Sequence, residues 1–350
     1  MSFNRDWVAS RSPRLRAILN GTVIIAPIGA TVAHSASRAA ATFALSVSLV
    51  DNADLNATFW ASLNQARVKI QISPDTLEPY IDLIEGYCDS IRLHPISGFV
   101  RIEGRDLSAS LLDTKTPTDF QNRTPTEIAT SLATSHGLTP MMGNAAAITG
   151  RYYGGTNNLI TLTQFAKMTS DWDILVALSQ TCGFDLFVSG TSLYFQPGVL
   201  TNEIPQIIMY SSLTDLQMTR LPAIASGVDL TVRSWNSAHQ LAVEHTVDIG
   251  VQTEPIGNSI SPIRKYTVLK PNLSADSAQA LAQRVAQSIS DEAMSIQFAM
   301  PGDIVFDLRR PITLQGSDTI FDRMYKVKSI IKSFRPDSGF TQVVRASLGA

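Results

Sequence analysis

The apolar positions of this chain alternate with a period of two over most of its length and switch to a helical period in three stretches. TFALSVSLV (42–50) sets Phe43, Leu45, Val47 and Leu49 against small and polar residues, and RVKIQIS (67–73) does the same with Val68, Ile70 and Ile72. Alternation of this kind predicts half-buried strands. LRAIL (15–19) and TVIIA (22–26) flank Asn20-Gly21, a strong hairpin signal, and SGFVRIEGRD (97–106) ends a further strand at Gly104. After residue 200 the β pattern returns in PQIIMYSS (205–212), VDLTVRSWN (228–236), QLAVEHTVDIG (240–250), RKYTVLKP (264–271), YKVKSIIKSF (325–334) and FTQVVRASL (340–348). Short strands separated by turn signals predict antiparallel sandwiches or barrels.

The helical stretches carry their own start and stop signals. Thr124-Pro125-Thr126-Glu127 has the form of a capping box, with proline at the first helical position. The helix it opens, about 125–136, puts Ile128, Leu132 and Ala133 on one face and stops at Gly137. Ser170-Asp171-Trp172-Asp173 opens a second, about 171–182, with Trp172, Leu175, Val176 and Leu178 apolar and Gly183 at its end. FDLFVSGTSLYFQP alternates around Ser189-Gly190 and predicts a hairpin over 184–196. Ser274 caps a third helix, about 275–290, striped by Ala278, Leu281, Ala282, Val285 and Ile289. The chain therefore reads as mainly β with an α+β insertion. A first β domain covers 1–115, an α/β module 116–200, and a second β domain 201–350. A Gly/Asn-rich loop, ITGRYYGGTNNLIT (148–161), lies between the first two helices.

Composition narrows the function classes. A net charge of −2 gives no reason to expect tight binding to nucleic acid or an anionic membrane. No apolar run is long enough to predict a membrane span. Arg5, Arg11, Arg14 and Arg16 precede AILNGTVIIAPIGATVAHSA and superficially resemble a secretory signal, but Asn20-Gly21 and Pro27 interrupt the apolar run and favour a hairpin. With 44% hydrophobic and 17% charged residues the chain forms a core under a lightly charged surface, which suits burial in an assembly as well as it suits an enzyme.

The search for chemistry yields structural readings. Cys88 and Cys182 fall in apolar contexts and read as two reduced, buried thiols. His34, His94, His136, His239 and His245 are scattered without metal-ligand spacing. His136 sits where a donor can meet the last carbonyls of its helix. Asp171 and Asp173 read as capping acids, and Asp303 and Asp307 as solvated strand positions in GDIVFDL. Gly190-Thr191-Ser192 lacks the second glycine of a nucleophile elbow and falls in a hairpin. No phosphate-binding glycine pattern is present. RYY (151–153) and the surroundings of Trp235 read as core or interface packing, and Arg309-Arg310 as a solvated loop or a subunit contact. The expectation is a protein without catalytic, cofactor-binding or metal-binding residues, and not an enzyme.

The order GRDLSASLLD (104–113), NRTPTEIATSLATSHGL (122–138) and SDWDILVALSQTCGFDLFVSGTSLYFQP (170–197) resembles the baseplate hub proteins of phage tails. These include the late-control D type and the hub portion of type VI secretion spike proteins. LRAILNGTVI and ATFALSVSLVDN look like the family's opening β domain. VRSWN (232–236), SADSAQALAQRVA (274–286) and YKVKSIIKSFRPDSGFTQVVRASL (325–348) resemble its closing one. The family's usual histidine near Ser333 is missing, and with the chain ending at Ala350 any spike or hydrolase is expected to be a separate protein.

The resemblance implies two tail-tube-like antiparallel β-barrel domains flanking the helix–hairpin module. It implies a homotrimer whose six barrels form a ring, with the hexameric tail tube protein above, the trimeric spike or puncturing protein below, and other baseplate proteins around it. DNA would pass only in transit through an axial channel. The protein would reside in the virion, in the tail baseplate, after assembly in the bacterial host cytoplasm, and would need no cofactor. The alternatives are a spike-base component of a secretion or injection system and a tail-associated cell-wall hydrolase.

Overall fold

The computed structural model describes residues 12–36, 38–50, 53–64, 66–73, 79–115, 120, 123–145, 170–197, 204–225, 228–236, 240–249, 264–271, 273–302 and 306–348. Arg5, Arg11, the 148–161 loop with its RYY, His239 and Asp303 lie outside the described residues.

The first β region contains β1 (Arg14–Leu19), β2 (Val23–Ile25), β3 (Pro27–Ser35), β4 (Thr42–Ser48), β5 (Arg67–Ser73), β6 (Ile81–His94) and β7 (Phe99–Asp106). Their order in the sheet is β2-β1-β5-β6-β7-β4-β3, and β1 also packs against β3, so the sheet curls around its own core. The β1–β2 turn is the one the sequence announces. Asn20 and Gly21 take the left-handed conformation, at φ 49° and 76°, and the Asn20 side chain accepts the N–H of Arg67. The alternating side chains Leu45, Ile70 and Ile102 point inward with Trp60. Trp60 lies on α1 (Ala57–Ser62), capped by Asn56, and its indole N–H donates to the Leu55 carbonyl at 2.9 Å.

The central module contains α2 (Ala109–Asp113), α3 (Pro125–Ser135), β8 (Thr139–Met142), α4 (Asp171–Cys182), β9 (Phe184–Ser189) and β10 (Ser192–Pro197). Both capping boxes form, at Thr124/Glu127 and Ser170/Asp173, each worth about 1 kcal/mol of helix stability. Gly183 ends α4 at φ 72°. Ser189 pairs with Ser192, so the hairpin turn is Gly190-Thr191, one residue later than the alternation suggests. β8 joins β10 in parallel, a pairing that needs a long crossover, here the segment carrying α4 and β9. Leu111, Ile128, Leu132, Leu175, Leu178 and Phe195 form the module's core.

The last β region contains β11 (Gln206–Met209), β12 (Asp215–Arg220), α5 (Pro222–Ala225), β13 (Val228–Asn236), β14 (Leu241–Ile249), β15 (Arg264–Leu269), α6 (Ala275–Asp291), β16 (Met294–Pro301), β17 (Ile312–Gln315), β18 (Met324–Arg335) and β19 (Gly339–Leu348). Six strands, in the order β12-β16-β19-β18-β17-β11, wrap Phe298, Tyr325, Val327 and Val344. The other three form a separate sheet, β14-β13-β15, covered by α6. The third predicted helix thus stands over its own small sheet. The small side chains of Ala278, Ala282 and Ala286 let the helix approach Leu230 and Val232 closely. The expectation of antiparallel pairing holds for most of the ladder and fails at β8–β10, β11–β17 and β13–β15, which run parallel.

The two β regions share one ladder. Ala30–Ser35 on β3 pair with Ser329–Phe334 on β18, giving a single 13-stranded sheet. A bulge between Val327 and Ser329 resets the register of β18 against β19. Phe334 and Phe340, on the last hairpin, pack into the core of the first region. Among the described residues no helix is long and apolar enough to cross a membrane.

Candidate functional site

The motif GRDLS, where β7 runs into the central module, is a joint built from short polar contacts. Gly104 faces the Phe43 ring, and a Cβ there would fall 2.1 Å from the Tyr87 carbonyl oxygen and 2.6 Å from that ring. The Arg105 guanidinium donates to Asp89 at 2.7 Å and to Asp113 at 2.8 Å, bridging β6 and α2. Asp106 is buried and accepts the N–H of Ala41 at 3.0 Å, the N–H of Ser108 at 3.0 Å and the Ser108 hydroxyl. Burial pushes its carboxyl up to about 6, against the pull of these donors.

The module is fastened on both sides. Towards the first β region, Arg38 (φ 58°) donates from Nε to the Ser179 hydroxyl at 2.7 Å and from its guanidinium to the Phe184 carbonyl at 3.3 Å. The Trp172 indole N–H donates to the Arg38 carbonyl at 3.0 Å, so each residue holds the other. Towards the last region, Lys326 pairs with Asp185 at 3.3 Å and Arg309 stacks 4.8 Å over the Tyr194 ring. Arg284 donates to the Thr181 carbonyl. Arg310 binds the Ile204 carbonyl at 3.1 Å, so the basic pair read as a solvated loop or subunit contact makes contacts within the chain.

The structure redistributes the roles of the acids and histidines. Asp173 closes the capping box, whereas Asp171 is fully buried and takes the His136 ring at 3.0 Å. The expectation that both aspartates merely cap α4, and that His136 serves its own helix end, is corrected on this point. One contact links the C-terminus of α3 to the N-terminus of α4. His34 binds the Leu83 carbonyl at 3.0 Å, and burial, then the charge of Lys332, push it down to about 4. His94 stacks on Phe99. Asp307 lies beyond any strand and accepts the N–H of Arg309. Ser192 opens β10 in the hairpin, as read.

Cys88 and Cys182 are free thiols, half-buried and not fully buried as the sequence suggests; desolvation pushes both up to about 11, away from nucleophilic reactivity. Trp235, read as core or interface packing, is more than half exposed and so lies outside the core of the chain. Among the described residues no group of three His, Cys, Asp or Glu side chains could hold a metal ion. Among the described residues, one open concave surface of about 260 Å³ lies beside Trp60, Cys88 and Ser90, and one of about 400 Å³ lies over Ala33, Ala44 and Arg105.

Arg38, Lys332 and the His136–Asp171 pair escaped sequence reasoning. The Arg38–Ser179 contact spans 141 positions and has no local signal. A histidine before a helix-ending glycine, together with an acid at another helix start, was the one available hint.

No family model matches the chain, and no curated protein matches it. Solved structures do match it. The tail protein from Neisseria meningitidis superimposes with a TM-score of 0.71 at 12% identity, over 96% of each chain. The prophage MuSo2 tail protein from Shewanella oneidensis gives 0.67 at 14%, over 95% of this chain and 97% of that one. An Escherichia coli component of the type VI secretion system, described as structurally similar to the T4 bacteriophage tail proteins gp27 and gp5, gives 0.55 at 9%, over 95% and 77%. The chain has the fold of phage tail proteins, a fold shared by this secretion-system component.

Proposed function

We propose that the protein is a structural hub of a phage or phage-like tail baseplate and carries out no catalysis. Three copies form a ring that adapts the six-fold tail tube protein above to the three-fold spike below and leaves an axial channel through which DNA passes. Other baseplate proteins pack around it, and the assembled hub resides in the virion after assembly in the bacterial host cytoplasm. The observation that carries this reading is the end-to-end fold match to phage tail proteins, over 96% of both chains for the tail protein from Neisseria meningitidis. The two β regions of each chain, joined through the β3–β18 ladder, would supply six such units in a ring of three, which is what matching a six-fold partner to a three-fold one requires. In this reading the units are the regions 1–115 and 201–350, with 116–200 as the wedge between them. The ladder from β3 to β18 keeps their spacing fixed.

The fold shared with a type VI secretion component favours a second reading, the spike base of a secretion or injection system. Mass in solution by light scattering tests the hub reading. Particles of about three times 38.0 kDa support it, and a chain that remains monomeric at every concentration refutes it. Release of soluble fragments from peptidoglycan by the pure protein would refute the non-catalytic part.

A further inference from the structure

The continuous sheet is open at two places, and the two openings match. Eight of its strands run in the order β12-β16-β19-β18-β3-β4-β7-β6, and every neighbouring pair among them is antiparallel. β12 ends this run and pairs, among the described residues, with β16 alone. At the other end, β6 outruns its second neighbour. β5 pairs with Ile81–Tyr87 and goes no further, and the Cys88 N–H donates to the Ala66 carbonyl. From Ser90 to His94 the strand pairs with β7 on one side and, among the described residues, with no strand on the other. Beside this open edge lies the concave surface of about 260 Å³, walled by Trp60, Leu63, Ile91 and Leu93.

An open edge is a template for another strand. We propose that β12 of one copy pairs with Ser90–His94 of the next. The register sets Thr219 opposite Ser90, Met218 opposite Ile91, Gln217 opposite Arg92, Leu216 opposite Leu93 and Asp215 opposite His94. This pairing rests on the ring reading given above, because a head-to-tail ring needs two unlike, complementary surfaces on every copy.

Direction, facing and register agree with it. Eight alternating strands make β12 and β6 run oppositely. A rotation about an axis lying roughly along the strands keeps their direction, so neighbouring copies meet antiparallel. Leu216 turns to the core side of its sheet, as do Ile91 and Leu93, and Met218 follows Leu216 by alternation. Asp215, Gln217 and Thr219 share the other face with Ser90, Arg92 and His94. Each apolar side chain therefore meets an apolar one beside the concave surface, and the Asp215 carboxylate meets an imidazole. A slip of one residue sets the faces against each other, and a slip of two in either direction leaves one apolar pair unmade. Three such joins remove both openings from every copy, and at about 4.8 Å between strands the closed wall spans at least about 37 Å between backbones.

The test is crosslinking between copies. Arg92 and Gln217 are both exposed. A chain carrying Arg92→Cys and Gln217→Cys is oxidised at a concentration where light scattering shows assembly, and covalent dimers and trimers are read on a non-reducing gel. They should exceed by at least about tenfold those from Arg92→Cys with Met218→Cys, whose side chains face opposite sides of the sheet. Met218→Lys should raise the concentration of half-assembly at least about tenfold while leaving the urea unfolding midpoint in place. A wild type that assembles while both cysteine pairs crosslink equally, or while Gln217→Cys alone crosslinks as well as the pair, overturns the pairing and leaves the ring reading standing. A wild type that never assembles overturns the ring reading, and the pairing with it.

Discussion

Replacing Lys332 by methionine removes a charge from the joint between the two β regions. Lys332 is 6% exposed and lies on β18 between Val32 of β3 and Gln342 of β19, on the inward side with Ile330. Burial pushes its amine down from 10.5 to about 8, with Asp307 pulling it partway back. At about 1.36 kcal/mol per pH unit, holding the charge at neutral pH costs roughly 3 kcal/mol. Methionine fills a similar volume without the charge. After allowing for relaxation around the amine and for the lost attraction to Asp307, Lys332→Met should stabilise the protein by on the order of 1–2 kcal/mol at pH 7. The pH dependence checks the cause. The folded lysine sheds its proton near pH 8, while the unfolded chain holds it until about 10.5. The wild type therefore gains stability as pH rises through that window, and the variant lacks that gain. Urea unfolding at pH 7 and pH 10 measures both effects. A variant less stable than wild type at pH 7, or an advantage that does not shrink at pH 10, would refute the reasoning.

The other predictions concern the joints. Gly104→Ala should cost about 1–3 kcal/mol in urea unfolding, because the Tyr87 carbonyl is backbone and the Phe43 ring is packed, so neither can withdraw easily. His136→Ala removes the ring that meets the Asp171 carboxyl at 3.0 Å in a fully buried position and should cost about 1–3 kcal/mol, measured the same way. Thr124→Ala removes one half of a capping box and should cost about 1 kcal/mol. His34, held down to about 4, binds no proton in the folded chain across a range where the unfolded chain does. Wild type should therefore lose on the order of 2 kcal/mol relative to His34→Leu as pH falls from about 6.5 to 4. Asp106, pushed up to about 6, acts in the opposite direction over nearly the same range, so the comparison must be made between variants and not on the wild-type curve alone.

What the sequence discloses is what local physics controls. The capping boxes, the left-handed turns at Asn20-Gly21 and Gly183, and the alternation of Phe43, Leu45 and Val47 depend on residues within a few positions of one another, and the structure realises each of them. β6 was missed because IDLIEGYCDSIRLH keeps no regular alternation, and its register shifts against both neighbouring strands. The β3–β18 ladder joins segments some 300 positions apart, so nothing local marks it. Asp171 was misassigned because the helix dipole explains an acid at that position equally well, and only the tertiary fold brings His136 to it. The fold resemblance was carried by residues that turn out to be joints: Gly104, Arg105 and Asp106 connect β7 to the module, and Trp172 locks it to Arg38. These residues meet partners in other elements at fixed distances, so their identity is set by the geometry of the joint.

Electron microscopy of the purified protein, at a concentration where light scattering shows assembly, shows whether it forms a ring with a passage through it. A three-copy hub gives class averages with three-fold symmetry, six density lobes around the axis and an open centre. Compact particles without a central opening, or rings of any other symmetry, would contradict it.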